Sequence, residues 1–196
     1  MNMSNMKDNK FQLYLASSTL LDDSDIDALV QIAKPRFLEK GAYLIRESQI
    51  VDEIGFVVDG FLHSYYLDHN QEEKTYCLVF PSEFVTAYSS FLTGQHSNIY
   101  VRALNQVSLN VISKVDLLRL METRPNLKNM FHSLTEAYLV KLENRFFQFQ
   151  KDYAKTRYNE LLNEHPEFIR HIPLKLLASY LGITPRHLSR IRRILD

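Results

Sequence analysis

Residues Leu174–Leu195 read LKLLASYLGITPRHLSRIRRIL. Leu177, Leu181, Ile183, Leu188 and Ile191 keep helical spacing on either side of a glycine, Gly182, and a small residue, Ala178, lies four positions before it. Two short helices that cross steeply need a small side chain where they approach. The turn between them needs a residue that tolerates positive φ, and the wedge needs apolar filling. All seven positions fit, so the stretch predicts a helix–turn–helix. Thr184 suits the N-cap of its second helix and Pro185 the first helical position, where a missing N–H does no harm.

That second helix turns Leu188 and Ile191 inward and exposes Arg186, His187, Ser189, Arg190 and Arg193. Arg186 and Arg190, four apart, share a face. An α-helix fits the major groove of DNA, and arginine pairs with guanine O6 and N7 as a fork. Thr184 stands at the helix entrance. Lys175, Ser179 and Arg192 are assigned to phosphate. The charge distribution agrees: from Arg170 to Asp196 there are six Lys and Arg against one acid, leaving 17 basic against 22 acidic residues elsewhere. A basic module on an acidic body suits a polyanion partner, here double-stranded DNA. A solvated face, or a helical hairpin used only for packing, remains the alternative.

Upstream, NLKNMFHSLTEAYLVKLENRFFQFQ places Leu127, Phe131, Leu134, Tyr138, Leu142, Phe146 and Phe149 on one stripe, flanked by Met130, Leu139, Val140 and Phe147. A helix of about 25 residues reaches roughly 38 Å. A second copy of itself is an economical cover for such a stripe, so the reading is a homodimer through this helix. Packing wholly on its own domain is the competing arrangement. Lys151–Phe168 reads as one further helix stopping near Pro166, and Pro173 as the start of the next.

From Arg36 to Ile112 short runs rich in Val, Ile, Tyr and Phe alternate with turn signals at Lys40-Gly41, Asp59-Gly60, Asp68–Gln71 and Thr93–Gln95. The pattern predicts an all-β roll or sandwich. Asp59-Gly60, between IGFVV and FLHSYYL, is the strongest hairpin signal. A helix capped by Ser24 precedes the roll and ends before Pro35, and KVDLLRLMET follows it as a short helix.

The 196 residues allow one large or two small domains, with 45% hydrophobic residues to fill a core. No apolar run approaches the roughly 20 residues of a membrane span, and MNMSNMKDNKFQLYL lacks the pattern of a secretion signal. A cytoplasmic location without membrane partners is the expectation. Cys77 is the only cysteine, which excludes an intramolecular disulfide and a cysteine-held cluster. His63, His69 and His96 are the candidates for haem ligation, each also readable as a structural or solvated residue. No cofactor and no metal site is assigned.

The order of these parts resembles the cyclic-AMP receptor protein/FNR-type (Crp/Fnr) family of bacterial transcription regulators. KGAYLIRESQIVDEIGFVVDGFLHSYYLD is similar to the family's first roll segment, and FPSEFVTAYSSFLTGQHSNIYVRALNQVSLNVI to its ligand cassette. The resemblance implies an α+β chain: an N-terminal helix and cupin-like, cyclic-nucleotide-binding-domain-like β-roll over 1–124, a long dimerisation helix over 125–150, and a DNA-binding helix–turn–helix over 151–196. The family's wing is shortened or absent before Asp196, which implies weaker DNA affinity. RNA polymerase is a further partner the family allows. By cassette position the effector pocket would hold Glu83, Tyr88, Ser97, Asn98 and Arg102. Ser82-Glu83 stands for the family's Gly-Glu, and Ser97-Asn98 stands where an Arg grips the cyclic phosphate. A buried phosphate without a charged partner is costly, so tight cyclic-AMP binding is not expected, and the effector is unknown. Pro185, where the family often has a base-reading Arg, and Arg186, where Glu is common, imply an unusual operator.

Two other functions stay open. One is a ligand-binding or interaction module that has lost DNA binding. The other is a cupin-type metalloenzyme, for which HSYYLDH with Glu72 and Glu73 offers no His-x-His pair. No nucleophile elbow or phosphate-cradling glycine loop is present, so the reading is a non-enzyme.

Overall fold

The computed structural model describes residues 3–151 and 153–195; Asp152, inside the helix expected over 151–168, and Asp196, the acid of the basic tail, lie outside them. Two helices, α1 (Met3–Ala16) and α2 (Asp23–Ile32), precede eight strands. These are β1 (Lys34–Leu38), β2 (Tyr43–Ile45), β3 (Glu53–Asp59), β4 (Leu62–Leu67), β5 (Glu73–Val79), β6 (Phe84–Val85), β7 (Tyr100–Ala103) and β8 (Val107–Ser113), with the short α3 (Tyr88–Thr93) between β6 and β7. Then come α4 (Lys114–Thr123), α5 (Pro125–Lys151), α6 (Ala154–Glu164), α7 (Pro166–Ile169), α8 (Leu174–Tyr180) and α9 (Pro185–Leu195). The strands form two antiparallel sheets, ordered β1-β8-β3-β6 and β2-β7-β4-β5.

Period-two alternation distributes the strand side chains among three cores. Val57 of β3 points into the roll, where it meets Leu62, Val79, Val101, Leu109 and Val111. Its neighbours Ile54, Phe56 and Val58 point outward and are covered by Phe11 and Leu15 of α1, Ile26 and Leu29 of α2, and Leu127 and Met130 of α5. On the other sheet Leu78 of β5, with Phe80 just beyond it, points away from the roll interior into a third cluster with Tyr158, Leu161, Leu177, Ala178, Leu181, Leu188 and Ile191. Because β3 is covered on both faces, its interior residues are buried without a break.

Several local expectations change here. Asp59-Gly60 is not a hairpin: β3 and β4 lie in different sheets, and the dipeptide is the corner between them. Gly60 has φ +89°, and a Cβ there would come 2.3 Å from Gln106 O and 2.9 Å from Val107 Cα, so the crossing demands glycine for two reasons. The true hairpin is β4–β5, whose turn is held by Asp68 accepting the N–H groups of Asn70 and Glu72 at 2.8 and 3.0 Å. The first expected helix is capped by Asp22, not Ser24, in a reciprocal box with Asp25. The single helix expected over 151–168 is α6 and α7, broken at His165 before Pro166. α1 was not expected at all, although Phe11, Tyr14 and Leu15 are spaced for one helical face; Phe11 and Tyr14 set their rings 5.0 and 4.9 Å from Phe56.

The 27 residues of α5 extend about 40 Å. Its start is fixed by buried Asp25 of α2, which accepts from Arg124 at 3.1 Å and from Asn126 at 2.8 Å. The stripe assigned to a dimer face is largely engaged at home. Leu127 is fully buried, Phe131 and Leu134 pack on the core under α1 and α2, and Tyr138 and Leu142 border a cavity against the roll. Phe149 lies against Gly182. The apolar face left open is the adjacent one: Leu139 (66% exposed), Val140 (54%), Phe146 (59%) and Phe147 (42%), two pairs spaced by seven. Of the expected stripe, Phe146 belongs to it, and Phe149 is 41% exposed while also lying against Gly182. The helix is wrapped by its own roll on one side, which rotates the free side by about one residue.

Candidate functional site

Between the roll and α5 lies a cavity of about 330 Å³. The strands supply Ser64, Cys77, Val79 and Phe84, the turn into β6 supplies Glu83, α3 supplies Tyr88, and α1 supplies Tyr14. α5 contributes Phe131, Leu134 and Tyr138 at helical spacing, then Lys141 and Arg145 one turn further along the same face. Tyr180 of α8 closes one end.

Polar groups in the walls are mostly committed. Glu83 Oε2 accepts the Phe80 N–H at 2.9 Å, and Oε1 accepts from Lys141 Nζ at 3.1 Å. Arg145 donates to the Tyr76 carbonyl, and its guanidinium lies 4.3 Å from the centre of the Tyr180 ring. Tyr76 and Tyr138 share a hydroxyl–hydroxyl bond of 2.7 Å. Tyr88 donates to Thr135 Oγ1 at 2.7 Å, since the Thr135 proton goes to Phe131 O. Burial raises the Cys77 thiol above its ordinary pKa, so it stays a neutral thiol at pH 7.

Of the five pocket residues expected from the cassette, the structure gathers two, Glu83 and Tyr88. Ser97 is buried in its own loop, its hydroxyl bonded to Ile99 O at 3.0 Å, and Asn98 is exposed. Neither lines the cavity. Arg102 is on the wrong face of β7. Val101 and Ala103 point into the roll, so Arg102 points out, pairs with Glu73 at 2.9 Å and lies 5.0 Å from the Tyr65 ring centre. The polar and titratable lining residues missed include Tyr14, Ser64, Tyr76, Cys77, Tyr138, Lys141, Arg145 and Tyr180. Lys141 and Arg145 left a signal: two cations one turn apart interrupt an otherwise apolar stripe of α5.

The C-terminal helices form the second candidate surface. Leu177, Ala178, Leu181, Leu188 and Ile191 are buried, Gly182 has φ +68°, and Thr184 Oγ1 accepts the His187 N–H at 3.2 Å. Arg186, His187, Ser189, Arg190 and Arg193 are exposed on α9, Lys175 is exposed on α8, and Thr184 is exposed just before α9. Two of the phosphate candidates face elsewhere. Arg192 is half-buried, its guanidinium 5.7 Å from the Tyr158 ring centre. Ser179 faces the roll, where its Oγ accepts the Thr75 N–H at 2.9 Å.

That contact belongs to an interface joining the C-terminal helices to β5 and α5. Thr75 Oγ1 donates to Leu176 O at 3.3 Å. Phe80 stacks on His165 with ring centres 3.9 Å apart, and Arg157 donates to Leu181 O at 2.9 Å. Beside it His63 is fully buried, its Nε2 3.0 Å from Thr75 Oγ1 and its ring stacked on Tyr65. With the Thr75 proton directed to Leu176, Nε2–H is the donor and Nδ1 carries no proton. Burial, reinforced by the positive charge of Arg102 and opposed by Glu73, lowers the His63 pKa to about 4. Of the other two haem candidates, His69 is exposed in the β4–β5 turn and His96 shares a 2.7 Å bond with Ser48 O. Among the described residues no group of three or more His, Cys, Asp or Glu could hold a metal ion, and no helix is long and apolar enough to cross a membrane.

Comparison with known proteins places this geometry. The cyclic nucleotide-binding domain family matches residues 35–124. Among solved structures, FixK2 from Bradyrhizobium japonicum superposes with a TM-score of 0.73 at 17% identity, over 84% of each chain. The c-di-GMP responsive global regulator CLP of Xanthomonas campestris gives 0.63 at 16% identity, over 89% of this chain and 91% of that one. The catabolite activator protein of Thermus thermophilus gives 0.57 at 19%, over 91% and 86%. A search of curated proteins returned no match.

Proposed function

We propose, from the match of residues 35–124 to the cyclic nucleotide-binding domain family and from a fold shared with Crp/Fnr-type regulators, that the protein is a dimeric, DNA-binding transcription regulator whose roll senses a small molecule other than cyclic AMP. The observation that carries the DNA-binding part is α9, read as the second helix of a helix–turn–helix. Its inner residues Leu188 and Ile191 are buried while Arg186, His187, Ser189, Arg190 and Arg193 all face solvent. Arg186 and Arg190 are the base readers and Lys175 and Arg193 the phosphate contacts. The open stripe of Leu139, Val140, Phe146 and Phe147 is the dimer face, which sets two such helices about one DNA turn apart. RNA polymerase is the partner such a regulator would recruit or block.

The sensing part rests on the cavity. Its wall is mostly aromatic and aliphatic carbon, and the residue standing where an Arg would hold a cyclic phosphate, Ser97, lies outside it. Cyclic AMP would lack that Arg, and the largely carbon wall would strand the polar groups of its ribose and base. α5 and Tyr180 both border the cavity, so an occupant touches the elements that carry the DNA-binding helices.

Fluorescence anisotropy against the gene's own upstream DNA tests the proposal. Specific binding should exceed binding to scrambled DNA and fall steeply with salt, as phosphate contacts release counterions. Arg190→Ala should cost about 1–3 kcal/mol on the specific site and relax base preference there. Equal loss on scrambled DNA would reassign Arg190 to phosphate. One observation favours a second reading, an interaction module that does not bind DNA: Ser179 is held by Thr75, so α8 meets the roll with a residue a DNA-bound form would turn to phosphate. Thr75→Val, which removes the docking bond to Leu176 O and keeps the Ser179 hydroxyl for DNA, separates the two. A regulator in its docked, off arrangement gains DNA affinity; a module without DNA binding gains none.

A further inference from the structure

Resting on the reading of the cavity as an effector site, we infer that its ligand is an apolar monoanion: an aromatic or aliphatic body ending in one carboxylate, held by Lys141 and Arg145. The charges decide the sign. Among the described residues Glu83 is the only carboxylate in the lining, against two cations, so the lining carries a net positive charge. Glu83 is itself fixed, one oxygen on the Phe80 N–H and the other on Lys141. A neutral or cationic ligand would leave that excess unmatched, whereas one carboxylate balances it. Lys141 is 62% exposed at the mouth and can swing from Glu83 to a ligand oxygen. Arg145 directs one N–H to the Tyr76 carbonyl, and its planar fork keeps further donors for a carboxylate.

Two hydroxyls add to the head-group site. Ser64 is buried on the cavity wall, and its Oγ has no hydrogen-bond partner among the described residues. Buried polar atoms are normally paired, so an unpaired one facing a cavity marks where an acceptor belongs. In the Tyr76–Tyr138 bond one hydroxyl donates to the other, which leaves the acceptor's own proton for a ligand oxygen. The rest of the wall, from Tyr14 and Phe84 to Phe131 and Leu134, is mostly carbon, with the Ser82 and Thr86 hydroxyls also in the lining and that of Thr86 committed to Glu53 O. It would strand the ribose and base polar groups of a nucleotide but suits a ring system or alkyl chain. The volume, about ten waters' worth, takes roughly ten to fifteen non-hydrogen atoms.

The chain supplies its own reporter. Cys77, the only cysteine, lines the cavity, so an occupant shields it from a small alkylating reagent. The experiment measures Cys77 alkylation rates and calorimetric affinities with decanoate and 1-naphthylacetate, each against its neutral amide, and with cyclic AMP. At least one acid should bind tenfold or more tightly than its amide and slow alkylation in proportion. Lys141→Met and Arg145→Met should each weaken the acid about tenfold and leave the amide unchanged, while Lys141→Arg retains most of the affinity. Acid and amide binding equally, indifference to both Met variants, or no acid binding up to millimolar concentration overturns the inference. The effector-site reading has a separate readout. Ala137→Trp, which fills the cavity, alters DNA affinity if the cavity is a sensor and leaves it unchanged if the cavity is inert.

Discussion

The two halves of α5 do different work. The first half sinks Leu127 and Met130 into the core beneath α1 and α2 and is clamped at its start by Asp25. The second half turns charged Lys141 and Arg145 toward a cavity, leaves aromatic side chains in the open, and meets the C-terminal helices through Phe149 against Gly182. The interface of those helices with the roll is likewise mixed: an apolar cluster around Leu78 and Phe80, laced with single hydrogen bonds from Thr75 and a neutral buried histidine. An apolar core filled on every side has one good arrangement. A surface with a cavity, exchangeable hydrogen bonds and one titratable ring can have two, which is what a ligand needs in order to shift a population.

The largest effect that tests this contrast is in the first half. Leu127→Ala removes a fully buried side chain and should lower unfolding stability by about 3–4 kcal/mol in chemical denaturation, whereas Val140→Ala on the open face should change the monomer by less than about 0.5 kcal/mol. Comparable losses at both positions would erase the distinction between the halves.

Acid should act on the second interface. The folded His63 pKa, about 4, lies below its ordinary value of 6.5. Above pH 6.5 the ring is neutral whether folded or not, and its packing is fully effective. As pH falls from 6.5 toward 4 the unfolded or undocked state takes up the proton first, and stability drops by up to about 3 kcal/mol. Below pH 4 this group adds no further loss. The groups around it are Arg102, Glu73, Thr75 and Tyr65. Denaturation midpoints measured between pH 7.5 and 4, for the native chain and for His63→Gln, should differ in slope over this window. Parallel slopes would remove His63 from the account.

A smaller effect is expected at the turn between α8 and α9. Gly182 has φ +68°, and a Cβ there would come 2.8 Å from the Phe149 ring. Gly182→Ala should cost about 1–2 kcal/mol. Repeating it with Phe149→Leu should recover the part due to the clash and leave the part due to φ. Full recovery would show that the backbone angle carries no strain.

What could be read before the structure followed from local chemistry. The turn around Gly182 was legible because small, flexible and capping residues stand at fixed offsets, and each requirement is met within a few residues. The roll was legible from alternation and turn residues, but not which sheet each strand joins: Asp59-Gly60 suits a hairpin and a corner equally, and only the approach of Gln106 and Val107 decides between them. The long helix was legible in length and period. Its free face was not, because five of the seven stripe residues, Leu127, Phe131, Leu134, Tyr138 and Leu142, meet the roll across long sequence separations that periodicity does not encode. The cavity was the least accessible feature. Its walls come from α1, both sheets, α5 and α8, and cassette position alone assigned Arg102 to it while alternation along β7 turns that side chain outward.

The central claim, that two copies joined along α5 present paired α9 helices to one duplex, is tested most directly by sedimentation of the chain with and without its own upstream DNA. The account predicts a dimer that binds one specific duplex as two copies, that is dissociated by Val140→Glu with Phe146→Glu, and that loses specific DNA binding together with dimerisation. A chain that stays monomeric at micromolar concentration and treats specific and scrambled DNA alike would contradict it.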